Sequence, residues 1–328
     1  MIKKIKLANF RIHENYELVC QKNTSLIVGE NGSGKTSVLE AIYIALVGKS
    51  FRAVDRDIIK RGADFYRVEL EFKEGGKNIV FYNGEKKKFL VKDKTFFRLP
   101  KKNRYPVVLF EPDDLNLIGA SPITRRGYFD KFLTQLDQSY NNSLLKYNKA
   151  LKQRNELLKQ DFLQKDSLFS WNILLAQYGI EIRQKRKKYL KEINEILTET
   201  YRSIANNNDE ILIKYRGEEV EENNYLVELE RNFEKDKITG YTNFGVHRDN
   251  YEFIFNGVGA EGSASRGEVR SLILALKFIE ALMLEKYLNK KPIILLDDVF
   301  SELDEMRQKS LVQNFKNNQV LITSVDGV

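Results

Sequence analysis

The chain has 328 residues, 42% hydrophobic and 30% charged, with 54 Lys and Arg against 46 Asp and Glu for a net charge of +8. That length supports one large core or two modest ones, and the basic excess suits nucleic acid or an acidic membrane surface without selecting either. The single cysteine, Cys20, excludes an internal disulfide and a cysteine-based zinc cluster, and no apolar run reaches bilayer length, so the expectation is a cytoplasmic protein with no membrane partner.

Residues 2–8 alternate as a strand does, and residues 24–28 form a second strand that runs into Gly29-Glu30-Asn31-Gly32-Ser33-Gly34-Lys35-Thr36. This is a phosphate loop. Its glycines let the backbone wrap phosphate oxygens with amides pointing inward; Lys35 brings a point charge to the β- and γ-phosphates of ATP, and Thr36 offers a hydroxyl to Mg2+. Ser37 opens a helix predicted to Val47, with Val38, Leu39, Ile42, Ala45 and Leu46 at helical spacing. Position between strand and helix argues against a chance match. Arg52, Arg56 and Lys60 then share one face if their segment is helical, a surface for DNA or a solvated face. Val68–Phe72, Ile79–Tyr82 and Lys88–Val91 read as short strands, with turns at Gly75-Gly76 and Asn83-Gly84, the latter typical of a tight hairpin. Val107–Phe110 is an apolar strand stopped by Glu111-Pro112.

From about 123 to 205 there is no proline, and apolar residues recur at three and four. Trp171, Leu174, Leu175, Tyr178 and Ile182 form a stripe continued by Tyr189, Ile193, Ile196 and Ile204, and Trp171 reads as core. A helix over 168–205 would span roughly 55 Å. It packs on its own domain or forms a short coiled-coil hairpin bending at residues 161–167. Residues 205–209 end it, and 218–222 read as a solvated acidic loop. Tyr251–Phe255 returns to strand character. The expected organisation is a discontinuous ATPase lobe, 1–118 plus 238–328, around an inserted helical lobe with a short arm, 119–237.

Ser265 and Gly267 precede a helix predicted from Glu268 to Tyr287, buried through Leu272, Ile273, Leu276, Ile279 and Met283. An N-cap role explains Ser265 but not Gly267 and Arg270, nor the acid-tipped strand downstream. That strand, Ile293–Leu296, ends in two carboxylates, and adjacent buried acids are costly unless a metal or proton transfer uses them. Asp297 would orient Mg2+, and Asp298 would polarise the attacking water as catalytic base, with Lys35 on the phosphates. Val320–Thr323 is the last strand. In ATPases with such a serine–glycine signature, Ser265, Gly267 and Arg270 reach ATP held by a second copy, so an ATP-dependent homodimer is expected. Ser301 and Asp304 resemble the loop that crosses its interface.

Asn9-Phe10-Arg11, Phe110-Glu-Pro-Asp-Asp-Leu115, Ser121-Pro-Ile-Thr-Arg-Arg126, Gly245-Val-His-Arg-Asp249 and Leu296-Asp-Asp-Val-Phe-Ser-Glu-Leu-Asp304 are similar to segments of the RecF family, in the SMC and recombination-repair branch of ABC ATPases. The resemblance runs nearly end to end. It implies an α/β fold, an ABC-type ATPase head with a mixed sheet around the phosphate loop and an inserted, mainly helical second lobe. It also implies slow DNA-stimulated ATP hydrolysis, double-stranded or gapped DNA as ligand, and RecR and indirectly RecA as partners. Asn9 and Arg11 join residues 29–37 as expected nucleotide contacts, although Arg11 also reads as a strand terminator. Departures are informative. Glu111 stands where the family has a small residue, leaving Glu111 or Asp113 for the glutamine-loop role. No histidine follows the last strand, so the switch position falls to Thr323 or Ser324, and the C-terminus reads as shortened. His247 is read as a packing residue or one near the lobe junction. A transporter ATPase subunit or the head of an SMC or nuclease complex would share the three motifs, but the first lacks the long insertion and the second separates them by far more chain.

Overall fold

The computed structural model describes residues 1–160, 162, 164–217 and 224–325. The strands are β1 (Ile2–Phe10), β2 (His13–Val19), β3 (Thr24–Val28), β4 (Tyr66–Phe72), β5 (Lys77–Tyr82), β6 (Lys87–Val91), β7 (Lys94–Phe96), β8 (Val107–Phe110), β9 (Ile211–Arg216), β10 (Asn250–Phe255), β11 (Val258–Gly259), β12 (Ile293–Leu296) and β13 (Gln319–Ser324). The helices are α1 (Lys35–Val47), α2 (Pro122–Leu136), α3 (Gln138–Leu158), α4 (Phe169–Ala205), α5 (Tyr225–Arg231), α6 (Phe233–Thr239), α7 (Arg266–Leu288) and α8 (Glu305–Asn314). They form two compact units, Met1–Leu115 with Leu276–Val328, and Asn116–Ala275. Strand β10 pairs with β9, so residues 238–275, grouped on sequence with the first lobe, cluster with the second unit. No helix among the described residues is long and apolar enough to cross a membrane.

In the first unit an antiparallel sheet, ordered β2-β1-β4-β5-β6-β7, accompanies a parallel sheet, ordered β3-β13-β12-β8. Helix α1 packs on β1, β4 and β5 of the former and on β8 and β13 of the latter, and is therefore buried almost throughout. Its apolar residues join Ile5, Leu7, Val68, Leu70 and Val80 from one sheet and Leu295 and Leu321 from the other in one core. Strand β2 escaped sequence reading because its side chains are largely exposed and carry no buried alternation. The Asn83-Gly84 signal does mark a hairpin, but Tyr82 pairs with Lys87, giving a four-residue loop rather than a two-residue turn. Asn83 Oδ1 accepts the amides of Glu85 and Lys86 there.

In the second unit α3 and α4 lie antiparallel. Ser143 Oγ donates to Glu181 at 2.6 Å, and Arg154 Nε donates to Asn172 Oδ1 at 2.7 Å. Part of their connection, and the acidic run 218–222, fall outside the described residues. The helical run breaks at Asp137, whose Oδ1 caps α3 by accepting the amides of Ser139 and Tyr140. The buried face of α4 includes Asn172, Arg183 and Arg186, while Trp171, Leu174 and Tyr178 are only half-buried. Trp171 is thus not core. Polar side chains take that face because partners satisfy them: Arg154, wholly buried, pairs with Asp236 at 2.7 Å and donates to Thr242 at 2.8 Å. Breaking such a buried pair costs about 3–5 kcal/mol.

Candidate nucleotide site

Strands β3, β13, β12 and β8 run parallel, and the chemically suggestive residues of the first unit cluster at their carboxyl ends. Lys35 and Thr36 follow β3, Thr323 closes β13, Asp297 and Asp298 follow β12, and Glu111 follows β8. Open parallel sheets bind ligands in the crevice outside those ends.

Gly34 takes the N-cap place of α1 with φ of 91°, and a Cβ there would lie 2.5 Å from His13 Nε2. A Cβ on Gly29 would lie 2.6 Å from Ser33 Oγ. Lys35 Nζ is buried and donates to the carbonyls of Gly29 at 2.8 Å and Glu30 at 3.2 Å. Glycines where a side chain would collide with its neighbours, an ammonium held by carbonyl oxygens and the start of a helix fit a phosphate group. Glu30, Asn31 and Gly32 are exposed at the lip, and Ser37 is buried behind it.

Thr36 Oγ1 donates to Asp297 Oδ1 at 2.8 Å, tying the two motifs together across 261 positions of sequence. Thr323 Oγ1 donates to the same oxygen at 3.0 Å and accepts the Asp298 amide at 2.8 Å. Burial raises the Asp297 carboxyl above the usual carboxylate range, the hydrogen bonds from Thr36 and Thr323 pull it back, and Asp298 pushes it further up. Asp298 has φ of 52°, and its Oδ1 is buried without a hydrogen bond, 3.9 Å from Lys35 Nζ. No cluster of three or more His, Cys, Asp or Glu fit for a metal occurs among the described residues. A Thr36–Asp297 pair nonetheless suits Mg2+, which keeps most of its shell as water and phosphate oxygen.

A family model described as an AAA domain matches residues 4–320. The DNA replication and repair protein RecF of Agathobacter rectalis is 33% identical, covering 98% of this chain and 91% of the relative. The chain belongs to the RecF family. RecF of Clostridium perfringens is 32% identical over 98% of this chain and 92% of its own. Among solved structures, the recombination mediator protein RecF-ATPrS in the RecFOR pathway superposes with TM-score 0.88 at 29% identity, covering 100% of this chain and 93% of that one. RecF-ATP gives 0.87 at 30%, covering 99% and 92%. The fold is that of RecF, an α/β ABC-type ATPase head.

In this RecF-family chain Asn9 and Arg11 both have positive φ, 52° and 56°, and the turn they make is held by hydrogen bonds to Ile58 and Lys60. Arg11 does more than end a strand. With Arg52 and Ser50 it converges on Glu40, a fully buried carboxylate on α1. The segment bearing Arg52, Arg56 and Lys60 is not an α-helix: only Asp55–Ile58 forms a 3-10 turn, Arg52 lies on Glu40, and Lys60 pairs with Glu14 at 3.1 Å. The three therefore share no helical face. Arg56 is exposed.

Ser265 in the second unit forms a capping box with Glu268, its Oγ accepting the Glu268 amide at 3.3 Å and its own amide donating to Glu268 Oε2 at 2.6 Å. Ser265 is exposed; Gly267 and Arg270 are half-buried. Ser301 Oγ donates to the Asp298 carbonyl at 3.0 Å, and Asp304 caps α8. Asp114 accepts the Glu111 amide at 2.9 Å and pairs with Lys277 at 2.9 Å, while Asp113 is exposed. His247 is a satisfied packing residue: Tyr147 Oη lies 2.8 Å from Nδ1 and the Thr242 carbonyl 3.0 Å from Nε2. Glu40 and His13 were missed on sequence. A lone acid inside the apolar run Val38 to Val47 was the available signal for the first; nothing local marks the second.

Proposed function

We propose that this chain is an ATP-switched DNA-binding protein of recombinational repair, closing as a homodimer on double-stranded or gapped DNA and reopening on slow hydrolysis. The observation that carries this reading is the Thr36–Asp297 hydrogen bond. It brings a phosphate loop and an acid pair, far apart in sequence, together at the carboxyl ends of the two strands that flank β13 in a RecF-family chain.

Lys35, freed from the Gly29 and Glu30 carbonyls, supplies charge to the β- and γ-phosphates, with residues 29–37 lining the loop and Asn9 and Arg11 at its flank. Thr36 and Asp297 would hold Mg2+, which when bound draws charge from the phosphate oxygens. Asp298 accepts the proton of the water that attacks the γ-phosphorus as the bond to the bridging oxygen breaks. Ser265, Gly267, Arg270, Ser301 and Asp304 serve the partner copy's nucleotide, which makes ATP the link between two copies. RecR, and RecA through it, are the protein partners this reading implies.

Two basic faces joined by dimerisation double the charge offered to a duplex, so ATP should strengthen phosphate contacts with little sequence preference. Because Arg52 also braces Glu40, the paired substitution R56A/K60A tests the proposed surface more cleanly than the triple. Light scattering and duplex binding with and without ATP test the whole reading. Wild type should dimerise on ATP and bind duplex more tightly, K35M should do neither, and R56A/K60A should dimerise while binding duplex more weakly and with a shallower salt slope. An ATP-dependent dimer in K35M would remove the loop as the switch.

A further inference from the structure

Thr323 stands at the end of β13, between the strand that feeds the phosphate loop and the strand that carries both acids, and is fully buried. Register places Ile322 opposite Leu296 on one side and Thr323 opposite Ile27 on the other. The chain leaves the ladder just past β12: the Asp297 amide still donates to the Phe110 carbonyl at 2.9 Å, but the next amide has no strand carbonyl to meet. Thr323 Oγ1 accepts it at 2.8 Å. The same hydroxyl spends its one proton on Asp297 Oδ1 at 3.0 Å, so a single side chain engages both acids.

This matters because Asp298 is a non-glycine residue with φ of 52°. Left-handed backbone costs most L-residues roughly 1–2 kcal/mol; aspartate adopts it more readily than most, and a hydrogen bond to its amide selects it over the alternatives. With the amide pinned, the carboxylate is aimed rather than satisfied: Oδ1 is buried, lacks a hydrogen bond and faces Lys35 Nζ at 3.9 Å. A buried carboxylate oxygen that makes no hydrogen bond and has only this long ion pair keeps its acceptor capacity for a further donor.

We propose that Thr323 is a positioning residue for ATP hydrolysis, holding Asp298 in its left-handed conformation so that its carboxylate meets the attacking water, while steadying Asp297 through the same hydroxyl. The role requires the hydroxyl, not the branched shape. It rests on the reading of Asp298 as the base.

The test compares Thr323→Val, which keeps the shape, with Thr323→Ser, which keeps the hydroxyl, and adds Thr323→Ala should the valine variant fail to fold. Valine, or alanine in its place, is expected to lower kcat about tenfold to a hundredfold with KM for ATP within about threefold, and to prolong the ATP-bound dimer. Serine is expected within about threefold of wild type. Hydrogen exchange of the nucleotide-free protein should show the Asp298 amide losing protection in the valine or alanine variant and keeping it in serine. Wild-type kcat and protection without the hydroxyl overturn the proposal. So does a serine variant as impaired as valine, or a KM that rises in step with the fall in kcat. Absence of hydrolysis by wild type would instead refute the assignment of Asp298, and the exchange measurement would still decide whether Thr323 holds it.

Discussion

Arg11 grips Glu40 with two hydrogen bonds, Nε to Oε2 and Nη2 to Oε1, each 2.9 Å long. Arg52 adds two more to Oε2, and Ser50 donates to Oε1 at 2.6 Å, so two guanidinium groups share one buried carboxylate on the phosphate-loop helix. Burial alone would raise the Glu40 carboxyl, but the hydrogen bonds from Arg11, Ser50 and Arg52 outweigh it and hold the group below the usual range. A depressed carboxyl contributes stability that is present above its unfolded pKa, roughly 4.3, and is lost as pH falls through the lower folded value. Glu40→Gln should therefore destabilise the protein by on the order of 3 kcal/mol at neutral pH. Melting curves of the two proteins should converge as pH drops below about 4. A constant gap down to acid pH would mean that shape, not charge, holds the cluster.

The two acids after β12 should fail differently. Asp298→Asn is expected to bind ATP and Mg2+, to accumulate as a dimer and to hydrolyse at least about a hundredfold more slowly, since only the proton acceptor is lost. Asp297→Asn should weaken Mg2+-dependent nucleotide binding and loosen Thr36, whose hydroxyl it accepts at 2.8 Å. Nucleotide titration with and without Mg2+, alongside single-turnover hydrolysis, separates them. Matching defects in both assays would refute the division of roles, with coupling between adjacent acids setting the resolution of the contrast.

For Ser265, whose hydroxyl caps α7, substitution by arginine should leave ATP binding by the monomer within about threefold of wild type, because the capping box contributes only about 1 kcal/mol. The ATP-dependent dimer should be absent, since the larger side chain would occupy the partner's phosphate position. Ser265→Ala, which removes the cap without adding bulk, controls for helix fraying. A dimer in the arginine variant, measured by light scattering, would place this serine outside the interface.

Burial pushes the His247 imidazole down to about 4, with Arg248 and Arg126 pushing the same way against the Thr242 carbonyl. The unfolded chain takes up the proton first, so the contribution of neutral His247 is whole above pH roughly 6.5 and lost as pH falls toward 4, about 3 kcal/mol in all. His247→Gln should flatten that part of the stability profile. A mutant whose unfolding midpoint tracks wild type between pH 7 and 4.5 would show that the imidazole is not the titrating group.

Much of the site was legible because phosphate binding is local chemistry. A loop that wraps phosphate needs glycines, a lysine and a hydroxyl within eight consecutive residues, so Gly29 to Thr36 announce themselves in one dimension. The acid pair was legible for a related reason, since a short apolar strand ending in two carboxylates has few other uses. The helical insertion showed in its periodicity, and α1 and α7 fall close to where hydrophobic spacing put them.

What only the tertiary structure decided depends on partners far apart in the chain. Arg52 reads as one member of a basic run until the fold lays it on Glu40; Trp171 reads as core until Arg154 and Arg186 claim buried positions that apolarity would assign to others. Thr323 is one hydroxyl in an apolar strand until β13 settles between β3 and β12 and brings it to Asp297 and Asp298, 26 and 25 positions away. Residue spacing encodes which side of a strand or helix is apolar, whereas the satisfaction of a buried charge or amide is settled by which strand lies next to it, and that is set by the packing of the whole lobe.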